Sequence, residues 1–152
     1  MTRPFWLIPV AMALLTANCG IFDPDSRLDQ LEANRDRWRA AALQHYRMDF
    51  RASCYCLDEF TERVTVEVSE DSVVSVVVVR TGLPVGHVSI DAWPTVLELF
   101  DAVEEAIIEH AHELEVTYHA QLGYPEFVFI DRNEMTVDEE MEYRVFALEA
   151  VQ

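Results

Sequence analysis

The chain has 152 residues, about half of them apolar, which is enough for one packed domain and too few for two. Twenty-eight acidic residues against eleven basic ones give a net charge of −17, and every basic residue is an arginine. Such a surface repels phosphate, which sets nucleic acid aside as a partner, and it also repels anionic lipid head groups.

In chain order, Arg3 precedes an apolar run from Phe5 to Ala17 that Pro9 interrupts. The run is too short and too interrupted to span a bilayer, and it has the anatomy of an export signal. Residues 1–18 are predicted to be a signal peptide of lipoprotein type, with Cys19 as the lipid acceptor. That places the domain outside the cytoplasm, held to the bacterial cell membrane through its N-terminal lipid anchor only. Thr16 and Asn18 stand where such signals usually carry leucine and a small residue. Cleavage after Ala17, giving a secreted domain, is the competing reading. Acylation of Cys19 would leave Cys54 and Cys56 as an even pair in an oxidising compartment.

Residues 19–25 form a tether that reaches at most about 20 Å, and residues 26–152 form a single domain. Ser26 opens a helix with Asp29 in capping-box position. Leu28, Leu31, Arg35, Trp38 and Ala42 follow at helical spacing, an apolar stripe broken only by Arg35. At Tyr46 the period changes to two. Tyr46, Met48, Phe50, Ala52, Cys54 and Cys56 alternate with polar residues, a half-buried strand with both thiols on its apolar face.

Val64, Val66 and Val68 predict a second strand, and Ser69–Ser72 a turn. The run from Val73 to Val79 predicts a strand covered on both faces or lying centrally. Residues 82–91 read as a loop. Thr95 and Glu98 form a capping box for a helix with Val96, Leu99, Phe100, Val103 and Ile107 on its buried side. His110 and His112 follow near its end, where the helix dipole suits them. Three strands close the chain, at 114–118, 126–131 and 142–148. The fold class is α+β, an antiparallel sheet of about five strands with two amphipathic helices on one face.

Several of these residues together resemble a bacterial exported or lipoprotein family, domain-of-unknown-function family 6174. They are Leu31-Glu32-Ala33-Asn34 and Trp38, then Tyr46, Phe50 and Ser53-Cys54-Tyr55-Cys56. Further on come Asp91-Ala92-Trp93-Pro94-Thr95, Leu122-Gly123-Tyr124-Pro125 and Ile130-Asp131. The resemblance covers roughly residues 28–148 and implies an exported or lipid-anchored setting and paired cysteines, with no reaction. His119 and Ala120 depart from its usual aspartate and proline, and the turn at Ser69–Ser72 lacks its usual glycine.

The chemistry the sequence offers centres on Cys54 and Cys56. Two residues apart in a regular strand, their Cα atoms would be about 6.6 Å apart, so a disulfide between them needs a break in the strand. A local disulfide, two buried thiols, and a thiol-exchange or copper(I) pair all remain open. The histidines 110, 112 and 119 and the acids from Asp131 to Glu140 lack metal-ligand spacing. No catalytic residue, cofactor or metal is expected, with Cys54 and Cys56 as the alternative copper(I) ligands. The loop of Tyr118, Leu122, Tyr124 and Pro125 is a candidate partner contact. The expected role is a non-catalytic, monomeric binding or envelope-interaction module with an unidentified protein or envelope partner. A thiol-redox or copper(I)-handling protein and an inhibitor of an exported enzyme are the alternatives.

Overall fold

The computed structural model describes residues 24–151. The signal segment, Cys19 and the first part of the tether therefore lie outside the described residues. Helix α1 spans Pro24–Ala41. It is already under way at Pro24, two residues before the predicted Ser26 start, because proline's fixed φ suits a first helical position. Its buried side is Leu31, Asn34, Arg35 and Trp38, so the arginine in the stripe goes inward with its apolar neighbours.

Strand β1 (His45–Ser53) buries Tyr46, Met48, Phe50 and Ala52 in strict alternation. A one-turn helix α2 (Asp58–Thr61) leads to β2 (Val64–Ser69), whose Val64, Val66 and Val68 are buried. Glu70 and Asp71 turn the chain at φ 49° and 60° into β3 (Ser72–Val78), doing without glycine what that turn usually asks of it. A 3-10 turn at Ile90–Ala92 precedes α3 (Val96–Ile108), which Thr95 and Glu98 close with the predicted capping box. Then come β4 (Glu113–Tyr118), β5 (Pro125–Asp131) and β6 (Met141–Ala150).

The six strands form one antiparallel sheet in the order β3-β2-β1-β6-β5-β4. The predicted α+β class with an antiparallel sheet holds, with six strands where about five were expected. The inward side chains of β1, β2, β5 and β6 meet Leu31, Trp38 and the apolar stripe of α3 in one core. On the open face Arg63 and Arg51 lie over Phe146, and Arg144 lies over Phe127.

The valine run is where the sequence expectation is corrected. β3 is an edge strand, and only Val76 of the run is buried. The chain itself supplies the missing cover. Val78 donates its N–H to the Leu83 carbonyl at 2.9 Å, and Val85 donates to that of Val76 at 3.2 Å. Leu83–Val85 thus blocks part of an edge that would otherwise template aggregation.

Tyr46 links the sheet to α3, its hydroxyl accepting the Val96 N–H at 2.9 Å. Burial pushes its pKa up to about 12, and burial does the same to Tyr118. A folded pKa above the unfolded value of 10.0 gives stability that is complete below pH 10 and lost as pH rises through about 12. The unfolding free energy should therefore fall by on the order of 2 kcal/mol per tyrosine in that window. Tyr46→Phe should cost about 1–2 kcal/mol at neutral pH, because Val96 loses its acceptor, and should remove part of the alkaline fall. Denaturant titrations at neutral and alkaline pH read both effects.

Candidate functional site

The site forms where β1 stops. The alternation that buries Phe50 and Ala52 ends at Ser53, and Cys54-Tyr55-Cys56 bends away from the sheet. This corrects the expectation that both thiols continue the strand's apolar face: Cys54 is half-buried and Cys56 is exposed. The bend brings their Cα atoms to 5.3 Å, inside the disulfide range, and the two sulfurs are bonded. Tyr55 between them is 84% exposed.

Behind the disulfide, α2 carries Phe60 onto Trp93, with ring centroids 5.1 Å apart. Glu59 fixes that helix by accepting the N–H groups of Gly86 and His87 at 2.7 and 3.2 Å. Trp93 is set by the 3-10 turn, donating its backbone N–H to the Ile90 carbonyl at 3.2 Å. Between these parts lies a cavity of about 410 Å³ walled by Phe50, Ala52, both cysteines, Phe60, Trp93 and Tyr143. Asp91 and Glu98 add negative charge to its lining. Both carboxylates are engaged locally: Asp91 accepts from the Ser89 hydroxyl at 3.1 Å, and Glu98 from the Thr95 backbone at 2.7 Å.

One buried polar group near the cavity is unpaired. Trp93 is 1% exposed, and its indole Nε1 has no hydrogen-bond partner among the described residues. Indole nitrogen can only donate. A buried donor without an acceptor costs about 1–3 kcal/mol, and this one, with almost no accessible surface, lies out of reach of a molecule in the cavity. The walls therefore offer apolar packing with a negative border.

The other candidates are placed elsewhere. Tyr124 and Pro125 are buried and Tyr118 and Leu122 half-buried. Tyr124 packs on Trp38 at 6.1 Å and stacks on His119 at 4.7 Å, and Tyr118 stacks on Phe100 at 6.2 Å. The predicted contact loop is largely a packing element, because the β4–β5 turn folds its aromatics under α1. His119 is also part of that turn: its Nδ1 accepts from Leu122 at 3.0 Å. His110 and His112, exposed, sit at the opposite end of β4. In the acidic loop, Asp131 and Glu139 both accept the Asn133 N–H, at 2.9 and 2.6 Å. Among the described residues no group of three or more His, Cys, Asp and Glu side chains could hold a metal ion. Arg51 lies on the open sheet face over Phe146, away from the thiols.

Fold and site together define a small α+β domain whose antiparallel sheet is covered on one side and ends in a disulfide-bounded apolar cavity. Residues 30–150 match a family of unknown function (DUF6174), and the chain belongs to that family. No curated protein and no solved structure matches it.

Proposed function

We propose that this protein is an exported, lipid-anchored, non-catalytic binding module whose site is the cavity beside Cys54–Cys56. The observation that carries the reading is the cavity itself, in which Phe50, Ala52, Phe60 and Tyr143 form an apolar wall bordered by two carboxylates beside the disulfide. The fitting ligand is an uncharged or cationic apolar molecule, because Asp91 and Glu98 disfavour an anion. Export is supported by the apolar run before Cys19 and by a cysteine pair bonded as in an oxidising compartment. No helix of the described residues is long and apolar enough to cross a membrane. Attachment then rests on Cys19.

The neutral fluorophore N-phenyl-1-naphthylamine tests the site. It should bind saturably to the intact protein, and Ala92→Trp, at an exposed position of the cavity lining, should weaken it about tenfold. Equal binding by both proteins, or by neither, would remove the cavity as the site.

The exposure of Cys56 favours one second reading, thiol exchange, since an attacking thiolate can reach it. Intact mass after alkylation shows whether the pair is bonded, and the bridge's reduction potential then separates a structural bond from an exchanging one. With Cys19 acylated or replaced by serine, the unreduced protein should take no adduct, folded or denatured, and two after reduction. Two adducts without reduction would transfer the case to a free pair able to bind copper(I). The bridge closes a very short loop, so replacing both cysteines by alanine should cost only about 1–2 kcal/mol.

A further inference from the structure

The exposed apolar side chains are concentrated at one end of the sheet. Tyr55 and Leu57 follow β1, and Met135 and Val137 occupy the loop from β5 to β6, at 84%, 67%, 89% and 81% exposure. Register places these two loops side by side, since Ser53 pairs with Glu142 and Ile130 with Met141. Val79 and Leu83 after β3 and Ile108 at the end of α3 are exposed at the same end. Of the large apolar side chains exposed among the described residues, only Val74 and Phe146 lie elsewhere. The opposite end, with Ala42–Gln44, Glu70–Asp71 and His119–Gly123, exposes none of them.

The chain also enters the domain at the apolar end. Pro24 and Arg27 line a surface hollow with Ile107, His110 and Glu113, where α3 finishes and β4 begins. Glu113 pairs with Asp131, which leads into the Met135 loop. A chain anchored at Cys19 has at most about 20 Å of tether before Pro24, so this rim, and not the polar one, faces the bilayer.

We propose that this rim is a lipid-contacting surface: Tyr55, Leu57, Met135 and Val137 enter the head-group region of an uncharged, zwitterionic bilayer beside the anchor. The inference rests on the lipid-anchor reading above. A tethered domain meets the interface at high effective concentration, so a few apolar tips suffice where they would not hold a free protein. Asp58, Glu134, Asp138 and Glu140 on the same loops set the lipid class, because they repel an anionic surface.

The test uses the mature chain with Cys19 joined to a maleimide lipid, which fixes the anchor whether or not a cell acylates that residue. Tyr55→Trp, Met135→Trp and the distant Val74→Trp are compared, each against the unsubstituted protein, in phosphatidylcholine vesicles with acyl chains brominated near the head group. The added emission at 55 and 135 should be quenched and that at 74 unchanged, and phosphatidylglycerol in the vesicles should reduce the quenching. Equal response at all three positions overturns the inference and leaves the rim to a protein partner. The anchor reading is judged separately, by whether Cys19→Ser releases the cell-made protein from the membrane fraction.

Discussion

Gly123→Ala should destabilise the domain by about 3 kcal/mol, the largest loss expected from any single added methyl group here. Gly123 adopts φ +79°, where an L side chain is strained by about 1–2 kcal/mol. A Cβ there would also collide with the Asn34 carbonyl oxygen and lie 2.9 Å from the Cβ of Arg37. Both obstacles belong to α1, one of them backbone, so relief requires moving a helix that Leu31, Arg35 and Trp38 hold against the core. The remaining glycines of the domain calibrate the two contributions. Gly82 has φ +68° with nothing close, so Gly82→Ala should show the strain alone, about 1 kcal/mol. Gly86 has neither, and alanine there should be neutral within about 0.5 kcal/mol. Urea denaturation of the three variants gives the series. A Gly123→Ala cost no larger than that of Gly82→Ala would mean that the turn lifts freely off α1.

What Gly123 does could not be read from its neighbours in the chain. Leu122-Gly123-Tyr124-Pro125 reads as an aromatic turn, and the sequence does not say that a helix almost ninety residues earlier rests on it. The elements that were legible are those with a clean local period. The alternation from Tyr46 to Ala52 and through Val64 to Val68 fixes which side chains go inward, and the Thr95–Glu98 box fixes where α3 starts. Periodicity fails where long-range geometry decides. Seven successive residues of valine and serine look central, yet β3 is an edge that a later loop covers. Alternation also runs on through Cys54 and Cys56 in the sequence, while a bond between them requires the strand to end. The cavity joins Phe60 to Trp93 across more than thirty residues, and no spacing rule connects those two. The aspartate-alanine-tryptophan-proline run after a loop was the available signal, but it marks a rigid turn rather than a wall.

Arg35 is the residue whose loss tests the electrostatics of the fold most directly, and Arg35→Met should cost about 2–3 kcal/mol. Its side chain is 8% exposed, lies over the Phe100 ring and reaches Glu32 at 2.6 Å, Glu104 at 2.8 Å and Asp101 at 3.1 Å. Burial by itself would lower its pKa. The hydrogen bond and charge of Glu104, with Glu32 and Asp101, reverse that and raise it, so the guanidinium remains charged at every pH of interest. Methionine keeps the stem's packing and removes the charge, leaving three carboxylates gathered where α1 crosses α3. Those carboxylates are partly exposed, so the penalty is repulsion in a screened setting and is smaller than that of a wholly buried pair. Two measurements separate charge from packing. Added salt should restore part of the stability of Arg35→Met while changing the parent protein less. Replacing the partners as well, in Arg35→Met with Asp101→Asn and Glu104→Gln, should recover most of the loss. If the triple variant stays as unstable as the single one, the arginine acts through its stem and the fit of the two helices. If it recovers, one cation offsets the carboxylates gathered where α1 crosses α3 in a chain carrying −17, and the break in the apolar stripe marks a place where charge balance outweighs hydrophobic continuity.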